Sequence, residues 1–171
     1  MKIEDDFLNQ KEFDELQNVI MGNEFSWYYN DEIDYKEDED KYQFTHTFYK
    51  KNLSNSQHLE QLYPIIEMIN PMSLWRIKAN LLTKTPDIVI NQFHIDNGHL
   101  SEEKLKQWTT SIFYINTNNG YTEFEDGTKV ESVANRMVTF PSNLKHRGTS
   151  CSDEKIRVII NFNYFEKSRN L

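Results

Sequence analysis

Apolar residues recur along this chain in two different rhythms. Before residue 73 the spacing is helical in two stretches. In 7–22 (FLNQKEFDELQNVIMG) Phe13, Leu16, Val19 and Ile20 share one face, and Gly22 is a plausible stop. In 55–70 Leu59, Leu62, Ile66 and Ile69 do the same, with Pro64 marking either a kink or a later helix start. Two short aromatic runs, 25–30 and 41–50, read as flanking strands. From residue 73 the period shortens. Segments 73–83, 88–95, 108–116, 121–125, 128–133, 136–140 and 155–165 are β-branched and aromatic, and turn signals such as TPD, DNG, NTNNG, EDG and PSN separate them. Many short strands with regular turns predict a sandwich or barrel. The fold expectation is therefore α+β: N-terminal helices packed on a double-stranded β-helix, or jelly-roll, core.

Composition bounds what such a fold does. At 171 residues the chain is expected to be one domain, with 1–72 as helical and strand support and 73–165 as the core. No apolar run is long enough to span a membrane, and the acidic opening MKIEDDFLNQ is unlike a secretory signal. The single cysteine, Cys151, excludes an internal disulfide and fits a reducing, cytoplasmic setting. A formal charge of −8 argues against nucleic acid as a partner. The one dense charge run, 31–40, reads as a solvated loop; lying before the core, it would favour neutral or basic substrates if it reaches the mouth of a site.

The candidate chemistry begins at NQFHID, 91–96. On a strand, residues two apart point the same way, so His94 and Asp96 would reach one point. With five histidines in the chain an H-x-D pair alone carries little, and its meaning depends on the residues further along the chain. Non-haem iron(II) favours two imidazoles and one carboxylate on one face, with the opposite face open. A third ligand is available in His146, which comes after the turn PSNLK, and Arg157 stands eleven positions later on the last strand.

In the order of these elements the sequence resembles the iron(II)- and 2-oxoglutarate-dependent dioxygenases, nearest the prolyl-hydroxylase-like branch. The resemblance runs over roughly 73–165: His94 and Asp96, the strand TTSIFYIN, the stretch NGYTEF, the segment NRMVTFPSNLKHRG, and the terminal strand KIRVIINFNYF. It implies that His94, Asp96 and His146 bind Fe(II) and that Arg157 forks onto the distal carboxylate of 2-oxoglutarate. It further implies that the Tyr114 hydroxyl joins Arg157, with help from Thr110 on the same face, and that Asn80 lies near the iron-proximal end of the cosubstrate. Two departures stand out. The central turn is Asn119-Gly120 where relatives often have Gly-Gly, which survives if Asn takes a positive φ. Lys155, nine positions after His146 and on the same strand face as Arg157, competes for the anchoring role.

The activity this implies is hydroxylation of a C–H bond with 2-oxoglutarate and O2 as cosubstrates and succinate and CO2 as products. The carboxylate at 96 favours hydroxylation over halogenation. A peptidyl proline or other peptide side chain is the first substrate expectation; a free amino acid or metabolite is the second, and a non-catalytic binding module is the alternative from another class. His46 and His58 read as structural or surface residues, His99 as a remote substrate contact, and Arg147 as a rim residue.

Overall fold

The computed structural model describes residues 1–33, 41–96, 98 and 100–166. The acidic block beyond residue 33 and His99, both singled out in the sequence, lie outside the described residues.

In chain order the elements are β1 (Lys2–Glu4), α1 (Gln10–Ile20), β2 (Tyr28–Asn30), β3 (Gln43–Lys50), β4 (Leu53–Ser54), a 3-10 turn (Leu59–Leu62) running into α2 (Tyr63–Ile69), β5 (Ser73–Thr83), α3 (Glu102–Leu105), β6 (Thr109–Tyr114), β7 (Tyr121–Phe124), β8 (Lys129–Glu131), β9 (Arg136–Pro141), β10 (His146–Gly148) and β11 (Ile156–Phe165). All the strand pairs are antiparallel. The larger sheet has the order β1-β9-β6-β11-β5-β3-β2, with β4 paired to β3, and the smaller has the order β10-β7-β8. The chain is thus mostly antiparallel sheet with few helices. Among the described residues no helix is long and apolar enough to cross a membrane.

Both expected helices form, shorter than their patterns. The Asn9 side chain accepts from the Glu12 amide and caps α1, whose Phe13, Leu16 and Ile20 are buried. The second pattern splits at Pro64. A 3-10 turn precedes it, and α2 starts beside it, where the missing N–H costs nothing.

Strand alternation divides the interior into two parts. On β11, Val158, Ile160, Phe162 and Tyr164 join the core under α1 and α2, together with Ile77, Ala79 and Leu81 of β5 and Phe113 of β6. The opposite faces carry Arg157, Ile159 and Asn161 of β11, Arg76, Lys78, Asn80 and Leu82 of β5 and Ile112 of β6, and these line a cavity. At one flank Ile112, Tyr114, Val138, Phe140 and Ile159 pack on Phe124 and Val130 of the small sheet, so the cavity lies between sheets fixed on both sides.

One predicted strand is not a regular one. Residues 88–95 meet β10 and its continuation only at the isolated bridges Ile90–Thr149 and His94–His146. Backbone bonds join Ser150 to Val89, Asn91 to Gly148 and His94 to His146. The partners step two by two, while the segment itself steps from 89 to 91 and then to 94, so one extra residue bulges between 91 and 94. The bulge changes the parity: Asn91 and His94, which regular alternation would put on opposite faces, both line the cavity. Val89 and Ile90, whose branched side chains suggested the strand, are exposed.

Candidate metal centre and cosubstrate pocket

His94, Asp96 and His146 come together at one end of this cavity, with a ligand atom from each lying within 4.8 Å of the others. His94 is placed by the bulged segment and His146 by β10, and the two backbones bond to each other in both directions at 2.9 and 3.0 Å. Asp96 sits in the turn after the bulged segment, not on a strand, with Oδ1 4.0 Å from His94 Nε2. Each imidazole turns Nδ1 toward a backbone carbonyl, Leu144 at 3.2 Å for His146 and Gln92 at 3.5 Å for His94. Such an arrangement leaves Nε2 as the lone-pair nitrogen.

Asp96 is buried and held from three sides. The Asn163 amide donates to Oδ2 at 2.8 Å, and Arg76 Nη2 lies 3.2 Å from Oδ1. Arg76 Nε in turn donates to Asn163 Oδ1 at 2.9 Å. Burial works against the charged carboxylate, but Arg76, the two imidazoles and Asn163 outweigh it and hold its pKa well below the ordinary range. The aspartate is therefore an anion at neutral pH, as metal ligation requires. Two neutral-capable imidazoles and one carboxylate facing a common point fit a divalent cation of the iron(II) type.

Arg157 stands on β11 at the other end of the cavity, and its side chain is buried. Its Nε donates to Ser132 Oγ at 2.8 Å and its Nη2 to Thr122 Oγ1 at 3.3 Å. The Tyr114 hydroxyl donates to the same Thr122 oxygen at 2.8 Å, and the guanidinium carbon lies 5.8 Å from the centre of the Tyr114 ring. Burial pushes the Tyr114 phenol up, keeping it a neutral donor. Burial also pulls Arg157 down, but a guanidinium remains protonated. The buried cation and the phenol thus converge on Thr122; Arg157 and Thr122 line the cavity, and Tyr114 stands behind them, outside its lining. Lys155 is exposed and lies before β11 begins.

The other expected cosubstrate residues divide. Asn80 lines the cavity, and its Oδ1 is buried without a partner among the described residues. Thr110 does not line the cavity. It bonds to Ser142 at 2.7 Å and accepts from Asn163 at 3.1 Å, so it braces the amide that holds Asp96. His46 is tied to Ser26 and Ser56, a structural role. Arg147 pairs with Glu123 and lies over the Phe93 ring, away from the cavity lining. Arg76, Asn163 and Thr122 were not anticipated from the sequence. For Arg76 and Asn163 the signal was the polar alternation in RIKAN (76–80) and NFN (161–163), where a buried strand keeps polar side chains on one face only.

The Asn119-Gly120 turn works differently from the expectation. Neither residue has a positive φ. A Cβ on Gly120 would stand 2.6 Å from the Ser150 carbonyl and 2.7 Å from Arg157 Cδ. The glycine is needed because the Ser150 carbonyl and the Arg157 stem both pass directly over it. Gly120→Ala should cost about 1–3 kcal/mol of stability through overpacking and displace the guanidinium. Denaturant unfolding together with 2-oxoglutarate titration checks both effects.

The sequence matches no protein-family model and no curated protein. Solved structures do match along nearly the whole chain. A prolyl hydroxylase from Trichoplax adhaerens, in complex with a hypoxia inducible factor oxygen degradation domain peptide, superposes at TM-score 0.68 and 13% identity, covering 96% of this chain and 83% of that one. The non-haem α-ketoglutarate-dependent epimerase SnoN from nogalamycin biosynthesis gives TM-score 0.67 at 12% identity over 96% and 77%. HygX from Streptomyces hygroscopicus, with nickel and 2-oxoglutarate bound, gives 0.61 at 8% over 97% and 82%. At these identities the likeness is one of fold: the chain has the fold of prolyl hydroxylases and of other 2-oxoglutarate-dependent non-haem oxygenases, with a His-Asp-His cluster in its cavity.

Proposed function

We propose that this chain is an iron(II)- and 2-oxoglutarate-dependent oxygenase that hydroxylates a C–H bond. The observation that carries the reading is the pairing, in one cavity, of the His94–Asp96–His146 cluster with the buried Arg157. The overall reaction is R–H + 2-oxoglutarate + O2 → R–OH + succinate + CO2. One oxygen atom goes to the product and one to succinate, and the two-electron oxidations of substrate and cosubstrate balance the reduction of O2.

On this reading the two sheets form a double-stranded β-helix, and residues 1–171 form one domain. His94, Asp96 and His146 hold Fe(II), which supplies the oxidising chemistry when bound. Arg157 and Tyr114 bind the distal carboxylate of 2-oxoglutarate, and Asn80 faces its other end. Thr110 acts behind Asn163 to keep Asp96 in place. Ile112, Ile159 and Leu82 keep the cavity walls apolar between these polar ends, which limits water near the reacting groups. We assign the protein to the cytoplasm, where Cys151, buried and unpaired, stays reduced, with no nucleic-acid or membrane partner.

A peptide side chain such as a peptidyl proline is one substrate reading. A small acid is the second, favoured by Arg76 on the cavity wall beside Asp96. The test of the activity needs no substrate. Anaerobic addition of Fe(II) and 2-oxoglutarate should produce the weak visible band of a chelated 2-oxo acid, and admitting air should release succinate slowly. Protein that forms no band and consumes no 2-oxoglutarate would overturn the assignment.

A further inference from the structure

Arg76 faces the cavity from β5, four residues before Asn80. Its guanidinium is fixed on two sides. Nε donates to Asn163 Oδ1 at 2.9 Å, and Nη2 rests 3.2 Å from Asp96 Oδ1. Nη1 has no hydrogen bond among the described residues. The side chain is 20% exposed, against 8% for Asp96, so part of the guanidinium meets the cavity while the carboxylate it touches is enclosed.

Among the described residues that line the cavity, Asp96 is the one carboxylate. In the loaded oxygenase a dication, a dianionic cosubstrate, Asp96 and Arg157 cancel one another. That leaves the Arg76 cation over, even with Lys78 set aside. A guanidinium next to a site that has gained a dication can no longer count on Asp96 as its own counter-ion, because cation and guanidinium then share one carboxylate. A second anion relieves both, and a fixed fork with a spare Nη edge matches a carboxylate.

A second observation lies beside it. Asn161 is 7% exposed and lines the same cavity, and its Oδ1 is buried without a partner among the described residues. Across β11 and β5, Arg76 stands opposite Asn163 and Lys78 opposite Asn161, so Asn161 is a diagonal neighbour of Arg76, roughly 7–8 Å away. An orphaned acceptor inside a cavity calls for a bound donor. The cavity, about 220 Å³, is below the roughly 300–1,000 Å³ usual for drug-sized ligands.

We infer that the substrate is a compact amino or hydroxy acid, its carboxylate held by Arg76 and its ammonium or hydroxyl donating to Asn161. This rests on the oxygenase reading above and decides between its two substrate classes. Arg76 touches a residue of the metal cluster, so a carboxylate it holds places the neighbouring carbons next to the reacting centre. Arg76 is then the residue that sets specificity and register.

The test is a paired panel. The Fe(II)-loaded protein receives 2-oxoglutarate, air and each standard L-amino acid, its 2-hydroxy analogue and the matching carboxamides. Succinate release is read above the rate without substrate. At least one free acid should stimulate release with a KM at least tenfold below that of its amide. Arg76→Gln should raise the KM for the acid by roughly ten- to hundred-fold, consistent with loss of a charge-assisted pair, and so erase the preference. Arg76→Lys should restore part of it. Should Arg76→Gln fail to fold, the acid-to-amide ratio of Arg76→Lys, reduced but above one, carries the same information. Equal use of acid and amide, an unchanged preference in the variants, or stimulation only by peptides overturns the inference. Succinate release that no acid stimulates does so too, while leaving the oxygenase reading standing. Absence of any release in the wild type removes that reading itself.

Discussion

Replacing His146 with alanine should abolish Fe(II) binding and the visible band formed with 2-oxoglutarate. The loss should exceed the roughly 10–100-fold that removal of a partner behind a ligand costs, because it takes away one of only three donors in the cluster. His146 also packs between the rings of Phe124 and Phe140, with centroids 6.1 and 4.9 Å away, so alanine opens a gap as well as removing a ligand. His146→Gln keeps most of the volume and separates the two effects. Both variants should lose the metal, and only the alanine should lose much stability. Metal titration and thermal unfolding of the metal-free proteins measure each. A His146→Ala protein that binds Fe(II) as tightly as wild type would show that His94 and Asp96 hold the cation without it, and the three-residue assignment would fall.

The large-scale plan was legible because strand alternation is strong where a sheet is covered on both faces. In 156–164 every second residue is an apolar or aromatic one that sits in the core under the helices, and of the residues between them Arg157, Ile159 and Asn161 line the cavity. The grouping of His94, Asp96 and His146 was legible for a different reason. His94, Asp96 and His146 are chemically conspicuous, and their separation along the chain, with a later arginine, limits the alternatives. The route by which they meet was not legible. The i, i+2 argument assumed a regular strand through 96, yet His94 owes its direction to an extra residue in the ladder and Asp96 to a turn. Such a bulge leaves no composition signal, since it is set by where the partner strand can bond. Thr110 shows the complementary limit. Its face was read correctly, but a face is long, and four residues toward the metal end place it behind Asn163 instead of beside Tyr114's partner Thr122. The Arg76–Asn163–Asp96 network joins three elements: the register of β5 on β11 sets Arg76 opposite Asn163, and the turn after the bulge brings Asp96 to both.

The same register puts Arg157, and not Lys155, on the cavity wall. Arg157→Ala should weaken 2-oxoglutarate binding by roughly ten- to hundred-fold, the worth of a charge-assisted fork of about 1.5–3 kcal/mol, whereas Lys155→Ala should leave it unchanged. Both side chains come after His146 on one strand direction, so spacing alone left them competing. Arg157 pairs with Leu82 inside the sheet and points into the cavity, where Ser132 and Thr122 orient it. Lys155 falls short of β11 and is exposed, so a carboxylate held there would be solvated and would gain little. Arg157→Lys sharpens the test, since it keeps the charge but loses the fork. It should bind 2-oxoglutarate more weakly than wild type and more tightly than Arg157→Ala. Removing the guanidinium also leaves Ser132 without its donor and Thr122 with Tyr114 alone, so unfolding should be measured beside the titration and affinities compared only for folded protein. A large loss in Lys155→Ala with none in Arg157→Ala would move the anchor to the rim of the cavity and detach Tyr114 from the cosubstrate site.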